Sequence, residues 1–276
     1  MEPLRFLHIP KTAGTTFTAI LHSQYLGKKK FFFTRPFDLE IERYNSLPRD
    51  ERDQIELFAG HAPLVTGINQ MDNATIITFL RDPISRVKSF CQHIAEGKTR
   101  EWAVAFPPET FNIDEFLESG VGELSNFQSK ILINEAYHTA PVLLDNLSPS
   151  EVKDLALDNL FNKISYYGIQ EYFDESLIIF SLALNWKLPL YLSQNRKNRS
   201  KLIRFEKRHL DRIAELNAVD IEVYKIAKER FLNSLNSVAF NKRKYQWFRF
   251  VNAFAPTAKK CRIYAREMAR HMTRKK

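Results

Sequence analysis

The chain has 276 residues, 44% apolar and 13% aromatic, with 41 Lys and Arg against 32 Asp and Glu for a net charge of +9. That apolar content suffices for a large packed domain and excludes disorder along the whole chain. No apolar run reaches the ~20 residues of a membrane span. Only two cysteines occur, Cys91 and Cys261, which excludes a disulfide framework or a cysteine-rich zinc site. A soluble, cytoplasmic protein is expected. The charge is unevenly placed: residues 241–276 hold twelve Lys and Arg and one acid, Glu267, which leaves 29 basic and 31 acidic groups in residues 1–240. The chain thus divides into a near-neutral single domain, 1–240, and a basic, aromatic, helical tail, 241–276.

Arg5–Ile9 is an apolar run stopped by Pro10 and suits a buried strand. Phe17, Ile20, Leu21 and Tyr25 then recur at helical spacing over 15–26, with Thr15 or Thr16 as the cap. The aromatic stretch Phe31–Phe33, near Pro36 and Pro48, reads as loop. Ile55–Phe58 predicts a strand ended by Gly60-His61. Thr75–Leu80, β-branched and apolar throughout, predicts a central strand covered on both faces. A helix runs from Pro83 to about Glu96, with Pro in its first turn and Ile84, Val87, Cys91 and Ile94 as its stripe. Residues 98–111 read as an ordered loop. Helices are expected over 112–119, 123–137, 149–161, 173–186, 206–217 and 219–235, with a strand at Tyr166–Ile169. Strand, tight turn and helix in this order predict an α/β fold, a central parallel sheet flanked by helices with a P-loop-like nucleotide cradle.

Two segments carry chemistry. The first, H-I-P-K-T-A-G-T-T (His8–Thr16), is a strand end, a turn and a helix start bearing one Lys and three hydroxyls. Backbone N–H groups and the helix dipole make such a start an anion site. Lys11 adds a point charge, and Thr12, Thr15 and Thr16 add donors for tetrahedral oxygens. It is not a Walker A loop, because Lys11 precedes Gly14 where that motif places Lys after its last Gly. The second, L-R-D-P-I-S-R-V-K-S (Leu80–Ser89), puts Arg81 at the carboxyl end of the central strand, where ligands sit in open α/β sheets. Arg86 and Ser89, three apart, share a helix face away from the stripe, so a phosphate could be gripped from two sides. Asp82 is placed to cap this helix. Each segment also has a bland reading: a βα turn with a surface Lys, and a structural ion pair of Arg81.

Together, P-K-T-A-G-T-T and, about 65 residues later, L-R-D-P-x-x-R-x-x-S resemble the sulfotransferases that use 3′-phosphoadenosine 5′-phosphosulfate (PAPS). The wording is similar to the carbohydrate branch, with its heparan 2-O- and chondroitin-type enzymes. The resemblance covers about residues 5–235, with Tyr167–Leu177 and Asp220–Phe231 similar to later landmarks. It implies that Lys11, Thr12, Ala13, Gly14, Thr15 and Thr16 bind the 5′-phosphosulfate, that Arg81 and Ser89 bind the 3′-phosphate, and that Gly168, with Ile169, lies at the adenosine. It implies transfer of a sulfuryl group to a carbohydrate or glycolipid hydroxyl, with Lys11 assisting the leaving group and no metal. The matched stretch has no Golgi-type anchor, so a bacterial source is expected.

For the base, His61 in F-A-G-H resembles the G-H motif of the 2-O branch, and a neutral imidazole suits deprotonation of a hydroxyl. A lone His at a strand end is otherwise more often structural. His8, within the first strand beside the cradle, His93, two turns beyond Arg86 and near an acceptor, and the acids Glu56 and Asp82 stay open. The basic stretch Gln194–Lys201, with Arg196, Lys197, Arg199 and Lys201, either reaches an anion or is solvated. The tail reads as an interfacial helix on anionic lipid, as a grip on acidic polysaccharide, or as a docked terminal helix with a basic outer face. No nucleic-acid module is present. Two rival functions remain: a P-loop kinase-like phosphotransferase, and a non-catalytic polyanion- or membrane-binding protein.

Overall fold

A computed structural model of the chain describes residues 2–34, 36–98, 100–134, 147–191, 202–236 and 241–254. Five strands, β1 (Leu4–Leu7), β2 (Lys29–Phe33), β3 (Ile55–Gly60), β4 (Thr75–Leu80) and β5 (Tyr166–Ile169), form one sheet in the order β2-β3-β1-β4-β5. All four pairings are parallel. Helix α1 (Gly14–Gln24) joins β1 to β2, α2 (Phe37–Asn45) and α3 (Arg49–Asp53) precede β3, and α4 (Asn69–Asp72) precedes β4. Between β4 and β5 lie α5 (Pro83–Ala95), α6 (Arg100–Ala105), α7 (Ile113–Leu117), α8 (Phe127–Leu132) and α9 (Pro149–Asn162). After β5 come α10 (Phe173–Ala183), α11 (Lys207–Leu216), α12 (Ala218–Asn236) and α13 (Lys242–Phe254). The chain is an α/β protein with a central parallel sheet flanked by helices.

Both sheet faces are covered, which is why the strands are apolar on both sides. Phe6, Leu57, Ile77 and Phe79 pack with Phe17, Leu177, Phe180 and Phe248 from α1, α10 and α13. Leu7, Ile76, Leu80 and Ile169 pack against α8, α9 and α12 through Leu132, Ala156, Leu160, Val223 and Ala227.

The edge strand β2 replaces the loop expected at Phe31–Phe33. Phe31 and Phe33 pack with Phe37, Tyr44 and Phe58, while Phe32 joins the cluster on the other face. Alternation is there, but three identical residues conceal it. The stretch 98–111 contains α6, and the helix expected over 123–137 is a 3-10 turn, Gly122–Leu124, followed by α8. Asn126, at φ 44°, breaks the two apart. Its Oδ1 instead accepts from the Val219 and Asp220 amides at the start of α12, both at 3.1 Å.

The expected threonine cap of α1 is corrected. The helix starts one residue earlier, at Gly14, behind Ala13 at φ 72°, a residue with no capping side chain. Thr16 is buried and Thr15 exposed within its first turn. Asp82 does cap α5, its Oδ1 accepting from the Ser85 amide at 2.8 Å.

A buried carboxylate ties the crossover region to the sheet. Asp220 accepts from the Gln128 amide (3.0 Å), the Ser129 amide (2.7 Å) and the Ser129 hydroxyl (2.5 Å). The Gln128 side chain in turn clasps the Arg81 backbone, accepting from its N–H at 2.9 Å and donating to its carbonyl at 2.8 Å. Asp220→Ala would leave those donors dry and unpaired. A loss of about 3 kcal/mol or more is expected in urea denaturation; a variant as stable as the parent would show that water replaces the carboxylate.

Candidate functional site

The site is built at the carboxyl ends of three neighbouring strands. Leu7 at the end of β1 lies opposite Gly60 of β3 and Thr78 of β4. The segments that continue from them, 8–16, 61–68 and 81–82, therefore leave the sheet side by side.

The cradle from Lys11 to Thr16 is shaped by its backbone. Lys11 and Ala13 both hold φ in the left-handed region, at 71° and 72°. The buried Thr12 hydroxyl donates to the Ile9 carbonyl at 2.7 Å, so this side chain fixes the turn. The first-turn N–H groups of α1 face the cradle without a capping side chain. Gly14 is required for space and not for φ: a Cβ there would sit 1.7 Å from His8 Nε2. Gly60 is required for both, at φ 133° and with a Cβ position 2.3 Å from the Phe33 carbonyl oxygen.

His8 lies just past β1, half-buried under the start of α1, and stacks on Phe6 (5.3 Å, 21°) and on His61 (4.3 Å, 24°). His61 Nδ1 is 3.0 Å from the His8 carbonyl oxygen. A carbonyl can only accept, so Nδ1 carries the hydrogen and the neutral ring has its basic lone pair at Nε2. Burial lowers His61 below the ordinary histidine range, against the opposing effect of that bond, and burial followed by the charges of His61 and Lys11 lowers His8 much further.

Arg81 joins the two motifs, its guanidinium donating to the Lys11 carbonyl at 2.9 Å. Its Nε is buried with no hydrogen-bond partner among the described residues. Arg86 differs from its expected place on an open helix face. It is fully buried, donating to the Glu123 carbonyl and lying 5.4 Å over the Phe127 ring, with Nε and Nη1 unpartnered among the described residues. Phe90, four residues on and buried, widens the apolar stripe of α5 towards Arg86, and that spacing was the available signal. Burial brings Arg86 to about 10 despite Asp220 nearby. Ser89 is half-buried, and its hydroxyl makes no hydrogen bond with the described residues.

These cations feel one another. Burial, then the charges of Lys98 and Arg81, bring Lys11 down to about 8. Lys98, which the motifs did not mark, pairs with Glu96 just beyond α5. His93 is brought to about 4 by burial and by Lys11 and Lys98, so it stands within electrostatic reach of the cradle as a neutral ring. Of the acids left open as bases, Asp82 caps α5 and Glu56 pairs with Lys28 at 3.0 Å. Gly168 is buried in β5, where a Cβ would meet the Phe79 ring at 2.5 Å and Ser176 at 2.8 Å. Residues 194–201, with Arg196, Lys197, Arg199 and Lys201, lie outside the described residues, as does the tail beyond 254. Among the described residues no group of three His, Cys, Asp or Glu side chains comes together that could hold a metal ion.

No family model matches the chain. It is 24% identical over 269 residues to heparan-sulfate 6-O-sulfotransferase 2 of Gallus gallus and to that of Homo sapiens, and 24% over 280 residues to heparan-sulfate 6-O-sulfotransferase 3-B of Danio rerio. The chain is thus distantly similar to heparan-sulfate 6-O-sulfotransferases. The matches take in 82%, 82% and 87% of it, and 66%, 44% and 66% of the respective relatives, so it spans only part of their length. These relatives are of the 6-O type, which corrects the expected likeness to the 2-O- and chondroitin-type branch. The same kinship with heparan-sulfate enzymes overturns the expectation of a cytoplasmic protein. Among the described residues no helix is long and apolar enough to cross a membrane.

The packing of His8 on Gly14 gives a direct test. His8 is held in a stack and cannot swing aside, so Gly14→Ala is expected to cost about 1–3 kcal/mol through overpacking. Urea denaturation checks it, and an unchanged midpoint would mean that the stack gives way freely.

Proposed function

We propose that the chain is a PAPS-dependent sulfotransferase acting on a hydroxyl of a heparan-sulfate-type glycosaminoglycan. One observation carries the reading: half-buried Lys11 and Arg81 and fully buried Arg86 converge, with N–H groups on both arginines unpartnered among the described residues, and Lys11 lies within electrostatic reach of His8, whose carbonyl orients the His61 imidazole. An isolated buried cation costs several kcal/mol even after the protein relaxes around it. A cluster of them, held mainly by neutral carbonyls, fits a ligand bearing several negative charges.

PAPS would supply the activated sulfuryl group. Lys11 and the backbone N–H groups of Ala13, Gly14, Thr15 and Thr16, in the loop shaped by Thr12, would hold its 5′-phosphosulfate. Arg81 and Ser89 would hold its 3′-phosphate, with Arg86 as a buried positive charge behind them. The place of Gly168 at the adenosine rests on the family resemblance. His61 Nε2 takes the proton of the acceptor hydroxyl, while its Nδ1–H stays on the His8 carbonyl and keeps the ring oriented. Lys11 sets its charge against the negative charge that develops on the leaving phosphate oxygen. The neutral state of His61 at ordinary pH suits this role, since burial has moved it below its usual range.

Calorimetry with 3′-phosphoadenosine 5′-phosphate tests the site. The native chain is expected to bind it in preference to ATP, with Lys11→Ala and Arg81→Ala each weakening binding by tenfold or more; unchanged binding in both variants, or preference for ATP, would refute the reading. His61→Ala is expected to keep nucleotide affinity and lose transfer to heparan sulfate with labelled PAPS.

Lys11 adds a pH signature. A bound anion raises its pKa from about 8, so binding takes up a proton at pH values between the free and bound values. Affinity is therefore expected to hold below about pH 8 and fall above it. Calorimetry near that pH in buffers of different ionisation enthalpy reads the proton uptake, which Lys11→Ala should abolish.

A further inference from the structure

Helix α13 presents large apolar groups on opposite sides. On the inner side Phe248 is fully buried against the α1 and α10 cluster, the Tyr245 hydroxyl donates to Glu175 at 2.6 Å, and the Asn252 Oδ1 accepts from the Tyr191 amide at 3.0 Å. On the outer side Trp247 and Phe250 stack on each other, centroids 5.9 Å apart and planes 23° apart, while remaining 60% and 57% exposed. Their exposure is therefore a property of a docked helix.

The charged residues of α13 itself are all cationic. Lys242, Arg243 and Arg249 are exposed, Lys244 is half-buried, and residues 241–254 contain no acid. Lys242 and Arg249, two turns apart on one side of the helix, line an open cleft of about 460 Å³ with Tyr245 and Gln246. The sequence from 255 to 276 adds eight Lys and Arg against one Glu. A dissolved polyanion would neutralise these cations but leave the two rings in water. A bilayer interface takes both, rings at the boundary between headgroups and acyl chains and cations on anionic headgroups.

We infer that the outer face of α13 docks on an anionic membrane surface, with Trp247 and Phe250 entering the interface, Arg243 beside them, and Lys242 and Arg249 on the flank of the helix reaching anionic headgroups. The helix lies in the plane of the membrane, since its inner face stays on the body. This docking is independent of the transferase reading and would survive its failure.

Co-sedimentation of the full chain with vesicles tests it, comparing phosphatidylcholine alone with phosphatidylcholine mixed with phosphatidylglycerol. Binding is expected only to the mixed vesicles and is expected to weaken as salt rises. The double variant Trp247→Ser with Phe250→Ser, and separately Lys242→Gln with Arg249→Gln, should each lose about tenfold or more in binding. Both variants replace exposed side chains, so unchanged thermal melting by circular dichroism confirms that the fold is intact. Tryptophan fluorescence should shift to the blue with mixed vesicles, and Trp247→Ser should remove that shift. Absence of vesicle binding, or full binding by the aromatic variant, would overturn the proposal. So would capture on heparin that the aromatic variant loses while vesicles go unbound, which would make this a glycan face. A dimer in light scattering that the aromatic variant dissolves would assign the face to a second copy and overturn it equally.

Discussion

The parallel pairing of β1 with β4 decides where everything else falls. Leu7 lies opposite Thr78, and the Thr78 hydroxyl donates to the Leu7 carbonyl at 2.7 Å, locking the register at the strand ends. Lys11 follows Leu7 by four residues and Arg81 follows Thr78 by three, so two groups distant in sequence emerge together. On the other flank the pairing of Leu7 with Gly60 puts His61 beside His8. A slip of one residue in either register would turn these side chains to the opposite face and dissolve the site.

Convergence of like charges has to be held against their repulsion, and the structure does so largely with neutral acceptors. Arg81 donates to the Lys11 carbonyl and Arg86 to the Glu123 carbonyl. Arg5, buried in β1, donates to the carbonyls of Pro63 and Leu64 and pairs with Asp72 at 3.4 Å. Asp72 also accepts from the Thr66 and Gly67 amides, so this bond set fixes the loop that follows His61. A carbonyl orients a guanidinium without cancelling its charge, whereas a carboxylate would do both. Arg5, whose partner is an acid, serves the scaffold. Arg81 and Arg86, whose partners are carbonyls, keep their charge available for an anion.

Much of this was legible in the sequence wherever one residue type has one physical use. The apolar run Thr75–Leu80 could hardly be anything but a central strand, and Pro83 behind Asp82 marks a capped helix start. The order Lys11 before Gly14 separated the cradle from a Walker loop. What escaped was set by tertiary packing. Phe31–Phe33 alternates between two clusters, but identical side chains give no period to read. Gly14 was legible as part of the cradle, but not as the steric vacancy it leaves for the His8 ring, a contact that no local pattern encodes. The helical spacing put Arg86 on the face away from the apolar stripe, and only Phe90 four residues on hinted that the buried face was wider. Lys98 and Glu96 carry no motif at all; their place near Lys11 follows from where α5 ends.

Two kinds of stored energy remain in the cradle, and their sizes differ. Left-handed backbone at Lys11 and Ala13 costs on the order of 1–2 kcal/mol per residue. Desolvation of cations, added to by their mutual repulsion, costs several kcal/mol per unpaired buried ion; burial first, and then the charges of Lys98 and Arg81, bring the Lys11 ammonium down to about 8. The backbone strain is met locally by the bond from Thr12 to Ile9 and from Arg81 to the Lys11 carbonyl. No comparable partner among the described residues meets the charge of Arg86 Nε and Nη1 or of Arg81 Nε. The greater of the two costs, that of the buried charge, is thus the one that the described residues leave standing, and an anion is what relieves it. A body that is slightly acidic overall concentrates its cationic chemistry at the carboxyl end of one sheet, while the cations of α13 stay in water and interleave with aromatics. The same net charge therefore serves two uses that differ in physics: desolvated and few at the cradle, hydrated and many on α13.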